Sequence, residues 1–197
     1  IRTPLNVLLG FTKMAKEKAN PECLPEIEVC QAITKTLAIM SNSFLDLAQH
    51  WQNKLKLITE SFSIHSLLKD VNLIVKIQAE LKGLKFRADY EEEIITLLEC
   101  DRNRLLHILT HLLLNAIKFT VRGSVTLSIT KDIEYPDSLT FAIIDTGMGM
   151  NADRVEYLSN SFLEDKFSTG GAEHSAGLGI SLAQLLIKYM ASENDTR

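Results

Sequence analysis

The sequence predicts two parts, an all-α helical hairpin over residues 1–56 and an α+β sandwich over residues 57–197. Three observations predict it. A heptad-like apolar stripe is confined to the first fifty-odd residues, the patterning switches to mixed strand and helix near Lys54, and three ligand-suited segments are spaced through the second part.

In the first part, Ile1, Leu5, Leu8, Thr12 and Ala15 form one stripe, and Ile33, Leu37, Met40, Phe44, Leu47 and Trp51 recur in steps of four and three. Such alternation is a coiled-coil seam. Asn20-Pro21 and Pro25 announce the turn between the two helices. Two amphipathic helices of this length cannot bury their stripes against each other alone, so a second copy is expected to complete a dimeric four-helix bundle. The alternative is an intramolecular hairpin packed on the second part. Pro4 should kink the first helix, because it lacks an N–H and its ring clashes with the preceding turn.

Beyond Lys54, Leu55 and Leu57 alternate with lysines as in a short strand. Ser63 or Ser66 can cap a helix running to Lys82 and ended by Gly83. Residues 84–90 and 94–98 read as strands, and residues 101–120 as a helix stopped near Gly123. Two further strands, 124–130 and 139–145, flank a Tyr135-Pro136-Asp137 turn. Helices on one face of a mixed sheet complete the sandwich.

The chemistry lies in that second part. Asn115 and Lys118 are three apart on a helical segment and so share a face. An amide oxygen can complete the oxygen shell of Mg2+ while an ammonium neutralises phosphate. Asp145 emerges where the apolar run Ile143-Ile144, read as a buried strand, ends; its carboxylate can accept the amino group of adenine. Gly147 and Gly149 omit side chains where backbone must approach a ligand. Gly177, Leu178 and Gly179 open a helix whose unpaired N–H groups suit phosphate oxygens. Each segment alone is more often a turn or a solvated side chain; their order and spacing together point to a nucleotide.

Bulk properties narrow the classes. A net charge of −4 with scattered Lys and Arg excludes a basic nucleic-acid footprint. Three cysteines without CxxC spacing read as reduced thiols. No uncharged apolar run is long enough to span a bilayer.

These residues resemble the catalytic core of sensor histidine kinases, in which dimerisation and phosphotransfer helices precede an ATP-binding domain of the Bergerat type. Ile1-Arg2-Thr3-Pro4-Leu5 resembles the tail of the family's H-box, whose phospho-accepting His would immediately precede it. None of His50, His65, His107, His111 and His174 fits an H-box. Asn115 matches the N-box, Asp145 the first Gly box, Phe162 a weak F-box and Gly177 the second Gly box.

The resemblance implies ATP and Mg2+ as cofactors, with Asn115 on the metal, Lys118 on phosphate and Asp145 on adenine. It also implies a homodimer, a response-regulator receiver domain as partner, and a cytoplasmic setting with membrane contact only through segments outside this chain. Thr3 matches the position that helps orient water during dephosphorylation of the regulator; a plain first-turn Thr explains it as well. His111, one turn before Asn115, stands where ATPase branches of the superfamily carry a general-base Glu. It can orient the γ-phosphate, accept a proton, or act only as a polar filler. His107 reads as structural.

Several positions depart from the family pattern. Ser159-Asn160-Ser161-Phe162 keeps only the final Phe of the F-box, Ser175-Ala176 replaces the usual Gly-Thr, and the Phe167–Gly171 lid hinge lacks a Thr-Arg pair. The final strands expected after Tyr189-Met190 are missing, as in a C-terminally truncated domain. The leading expectation is an ATP-dependent protein-histidine kinase. The alternative is a degenerate module that regulates another kinase by dimerisation; a hydrolytic ATPase is disfavoured by His111.

Overall fold

The computed structural model describes residues 2–52, 54–90, 97–132, 138–163 and 177–194. The chain divides into two compact units, Ile1–Lys56 and Leu57–Arg197. Each is taken by itself.

The first unit is a hairpin of α1 (Arg2–Lys18) and α2 (Leu24–Trp51), which pack together across a short 3-10 turn at Pro21–Cys23. Pro4 falls in the first turn of α1, where backbone N–H groups have no intrahelical partner in any case. Lys16 and Glu28 bridge the two helices at 2.7 Å.

The buried row of α2 differs from the predicted seam. Ala32, Thr36, Ile39, Ser43 and Asp46 are buried and also recur in steps of four and three, one residue out of phase with the large apolar row. Thr36 and Ser43 turn their hydroxyls back onto the carbonyls of Ala32 and Ile39 at 3.0 and 2.8 Å, which lets small polar residues occupy a closed face. Ile33, Leu37 and Met40 are exposed, as are Val7, Leu8, Phe11 and Met14 of α1. Of the rows read from the sequence, Leu8 of α1 and Ile33, Leu37 and Met40 of α2 therefore lie on the outer surface of this hairpin, whereas Leu5 is buried.

The expected strand at Leu55–Leu57 does not form. Just beyond it, in the second unit, the Ile58 N–H donates to Asp101 Oδ2 at 3.0 Å. The first strand is β1 (Glu60–Ser63), which pairs antiparallel with β3 (Leu97–Cys100). Between them lie α3 (Ile64–Leu81) and β2 (Lys85–Tyr90). Of the predicted 94–98 strand, residues 94–96 lie outside the described residues. Ser63 caps α3 by accepting from the His65 N–H, and Ser66 donates its hydroxyl to the Ser63 carbonyl. Gly83, at φ 73°, ends the helix as expected.

Next come α4 (Arg102–Phe119), β4 (Ser124–Lys131), β5 (Leu139–Asp145), α5 (Ala152–Leu163) and α6 (Gly177–Asn194). The predicted Tyr135–Asp137 turn lies outside the described residues. A mixed three-stranded sheet runs β2-β4-β5, parallel on one side of β4 and antiparallel on the other. Strand β4 alternates cleanly: Val125, Leu127 and Ile129 are buried and their neighbours are not, the period of a strand covered on one face. Helices α3 and α4 pack on this sheet and on each other, and α6 packs on α4. Leu67, Ile74, Leu109, Leu113 and Leu186 fill the core they enclose.

Strand β5 is less buried than its apolar run predicts. Ile144 is 57% exposed; it pairs with Thr126 on the face opposite the buried Val125 and Leu127, and β5 is the outer strand of the described sheet. Among the described residues no helix is long and apolar enough to cross a membrane.

Candidate nucleotide-binding site

Helix α4 carries three of the predicted residues and is anchored at both ends. At its start, Asp101 accepts the Arg104 N–H at 3.0 Å as an N-cap. Arg102 reaches Asp70 at 2.8 Å and the Ser66 carbonyl at 3.0 Å on α3, with its guanidinium 5.8 Å from the Phe62 ring centre. His111 and Asn115 are half-buried along the helix, and Lys118 is exposed in its last turn. The Lys118 ammonium lies 5.3 Å from the Phe119 ring centre.

The end of α4 must satisfy its last carbonyls. Ala116 O accepts both the backbone N–H and the hydroxyl of Thr120, at 3.0 and 2.8 Å. Lys82 Nζ donates to Ile117 O and Lys118 O, each at 2.7 Å. The fourth carbonyl, that of Phe119, faces Gly147. A Cβ built on Gly147 would stand 2.8 Å from Phe119 O and 2.7 Å from Asp145 Oδ1, closer than side chains tolerate, so only glycine fits here.

That crowding joins the two predicted segments. Asp145 is the last residue of β5 and is exposed; its Oδ1 accepts the Gly147 N–H at 2.8 Å. A carboxylate oriented through one oxygen can offer the other to a donor such as an adenine amino group. Thr146 secures the same turn from the other side. Its N–H donates to Ser124 O at 3.1 Å, and its hydroxyl accepts the Ser124 N–H at 3.0 Å. Gly123, at φ 115°, sits so close that any Cβ there would collide with Thr146 Oγ1. Gly149 has φ 69° and open space around it.

The remaining predicted residues are placed more coarsely. Phe162 lies in α5, and Gly177, Leu178 and Gly179 form the first turn of α6, the helix packed against α4. Gln184 of α6 donates to Leu158 O of α5 at 3.2 Å, so these two helices are also joined. Thr3 is exposed near the start of α1 and belongs to the other unit. The lid residues Phe167 to Gly171, with His174, Ser175 and Ala176, lie outside the described residues.

The donors present fit a metal that arrives with its ligand. Among the described residues no group of three or more His, Cys, Asp or Glu side chains could hold an ion alone. A half-buried amide such as Asn115 suits Mg2+, which commonly takes one or two protein oxygens together with phosphates and water.

Sequence reasoning missed Lys82, Thr146 and Arg102. Lys82 and Arg102 are distant in sequence from the groups they bind, and nothing local marks them. Thr146 could have been suspected, standing between Asp145 and Gly147.

Comparison with known proteins bears on the family and the fold. Residues 100–195 match the family described as histidine kinase-, DNA gyrase B- and HSP90-like ATPase. The sensor histidine kinase GacS of Pseudomonas protegens is 32% identical over 98% of this chain, and the aerobic respiration control sensor protein ArcB of Escherichia coli is 28% identical over 98%. The chain spans 21% and 25% of those relatives' lengths. Full-length ShkA in complex with AMPPNP superposes with a TM-score of 0.64 at 25% identity, covering 96% of this chain and 39% of ShkA. The Acinetobacter baumannii histidine kinase AdeS shares the fold, with a TM-score of 0.56 at 17% identity over 93% of this chain and 83% of AdeS. Residues 100–195 therefore belong to the histidine kinase-, DNA gyrase B- and HSP90-like ATPase family, within a chain that has the form of a histidine kinase catalytic core.

Proposed function

We propose that this chain binds Mg2+-ATP on the surface formed jointly by the Asn115–Lys118 part of α4 and the Asp145–Gly147 turn packed on its end. In this reading it transfers the γ-phosphoryl group to a histidine of an H-box, from which the group passes to an aspartate on a response-regulator receiver domain. The observation that carries the reading is the seating of Gly147 against the Phe119 carbonyl, which brings the adenine-suited carboxylate to the helix bearing Asn115 and Lys118.

Phosphoryl transfer asks the protein mainly for positioning and charge neutralisation. Bound Mg2+ and the phosphate tail supply the transferable group and most of the charge compensation. Asn115 offers its amide oxygen to the metal, and Lys118 swings its ammonium from the Phe119 ring to phosphate. Asp145, oriented by the Gly147 N–H, accepts the adenine amino group. The first turn of α6, at Gly177 to Gly179, offers backbone N–H groups to the phosphates. His111 orients the γ-phosphate or accepts a proton, and Thr3 helps orient the water that hydrolyses the aspartyl phosphate of the regulator. A second copy covers the exposed row of α1 and α2, completing a four-helix bundle; the unburied Phe11, Leu37 and Met40 support this.

The test is a titration with Mg2+ and a fluorescent ATP analogue, competed with ATP and ADP and repeated with Asp145→Asn. Saturable binding that the substitution removes is the expected result. A well-folded chain that binds nothing would sink the catalytic reading in favour of a regulatory module acting by dimerisation.

A further inference from the structure

We infer that Lys82 is a positioning residue for the nucleotide site, acting through the last turn of α4 and not by touching the ligand. The inference rests on the nucleotide reading above. Lys82 is exposed and stands at the C-cap of α3, yet its ammonium donates to two carbonyls of a different helix, Ile117 O and Lys118 O, both at 2.7 Å. A cation at a helix C-terminus meets the negative end of the helix dipole, and charge-assisted bonds of this length are the stronger kind.

The position of this bond gives it a role beyond capping. The carbonyls it holds belong to the residues on either side of the Ile117–Lys118 peptide, and the next carbonyl, Phe119 O, is the one on which Gly147 sits. Backbone around it is tied in the same direction: Lys85 N–H donates to Gly123 O at 3.0 Å, bringing the start of β2 beside the start of β4. Lys82 thereby sets the height of the α4 end against the turn that orients Asp145. Loss of its two bonds frees the last turn to fray, and Asn115, Lys118 and Asp145 then lose their common frame.

Removing a lysine also removes a charge that would attract phosphate at a distance, so the test must separate the two effects. Lys85 provides the control, since it is exposed on the adjoining strand and its side chain has no role in the proposed site. Binding of a fluorescent ATP analogue with Mg2+ should weaken about tenfold in Lys82→Met, equivalent to the loss of one charge-assisted hydrogen bond. Lys82→Arg, which keeps a cationic donor, should restore most of it, and Lys85→Met should bind within about twofold of the parent chain. Amide hydrogen exchange at Thr120 and Gly147 should speed up in Lys82→Met and not in Lys85→Met.

Equal binding by the parent chain and Lys82→Met overturns the inference, and so does equal weakening by Lys82→Met and Lys85→Met, which would reduce the effect to bulk charge. Failure of the parent chain itself to bind overturns the nucleotide reading and with it the role assigned to Lys82.

Discussion

In the second unit, Leu109 and Leu113 of α4 are almost wholly buried, whereas in the hairpin Phe11 and Leu37, residues of the same apolar kind at helical spacing, stand 65% and 48% exposed. The α4 leucines find a sheet and two further helices within their own chain. The hairpin has only two helices, and its buried row is taken by Ala32, Thr36, Ile39, Ser43 and Asp46. An apolar stripe states that burial is wanted; whether the partner lies in the same chain depends on how many layers the chain supplies. The sandwich core is closed by its own sequence, while the hairpin leaves large apolar residues exposed.

The largest effect that could break this contrast lies in the sandwich core. Leu113→Ala should destabilise the second unit by about 2–5 kcal/mol, the range for emptying a closed core site, as read by urea unfolding. A loss below about 1 kcal/mol would mean that the α4 core is looser than its burial indicates.

Next in size, Leu37→Glu should leave the hairpin helical by circular dichroism while raising the dimer dissociation constant about tenfold or more, measured by sedimentation. Unchanged association would remove the outer row from the interface. The same substitution in a monomer should cost little, since the side chain is already half in water.

A smaller effect separates the cysteines of the two units. Burial, with Asp101 and Glu60 nearby, pushes the Cys100 thiol up to about 11, and Cys23 and Cys30 of the hairpin are exposed. Iodoacetamide at mildly alkaline pH should therefore label Cys23 and Cys30 well before Cys100, with the order read by mass spectrometry. The linkage has a definite sign. Because the folded chain holds the Cys100 proton more tightly than the unfolded chain, its contribution to stability is full below about pH 9 and is lost as pH rises toward 11. A Cys100→Ser variant should show a flatter decline over that window.

The smallest expected effect is at the hairpin's surface. Lys16→Met breaks the ion pair with Glu28, but both partners are well exposed, so the change should stay below about 1 kcal/mol. A larger loss would show that the pair, and not helix packing, fixes the register of the hairpin.

Much of this architecture is legible before any coordinates. Ser63, one of two candidate caps with Ser66, and Gly83 mark the ends of α3 through local chemistry, a side-chain acceptor for an N-terminal N–H and a residue free to turn left-handed, and each does so in the structure. Gly147 reads in the sequence as a place where backbone approaches a ligand; in the structure the group its missing side chain makes room for is the Phe119 carbonyl. The strand at Leu55–Leu57 failed because alternation over so few residues cannot distinguish a ladder from an irregular segment. The hairpin seam was read from residue size, and two rows with the same period lie one residue apart.

The sequence by itself determined the helical hairpin, the helices α3 and α4, the strands β2, β4 and β5, the ends of α3, and the set of residues suited to a nucleotide, because these follow from periodicity and from chemistry within a few positions. Only the tertiary structure decided which row of α2 is buried, that Ile144 lies on an outer strand, and that the distant Lys82 joins Thr120 in holding the end of α4. Those outcomes depend on which surfaces meet across long stretches of chain. Local propensity carries no record of such meetings; packing and the need to satisfy every buried or terminal polar group select them.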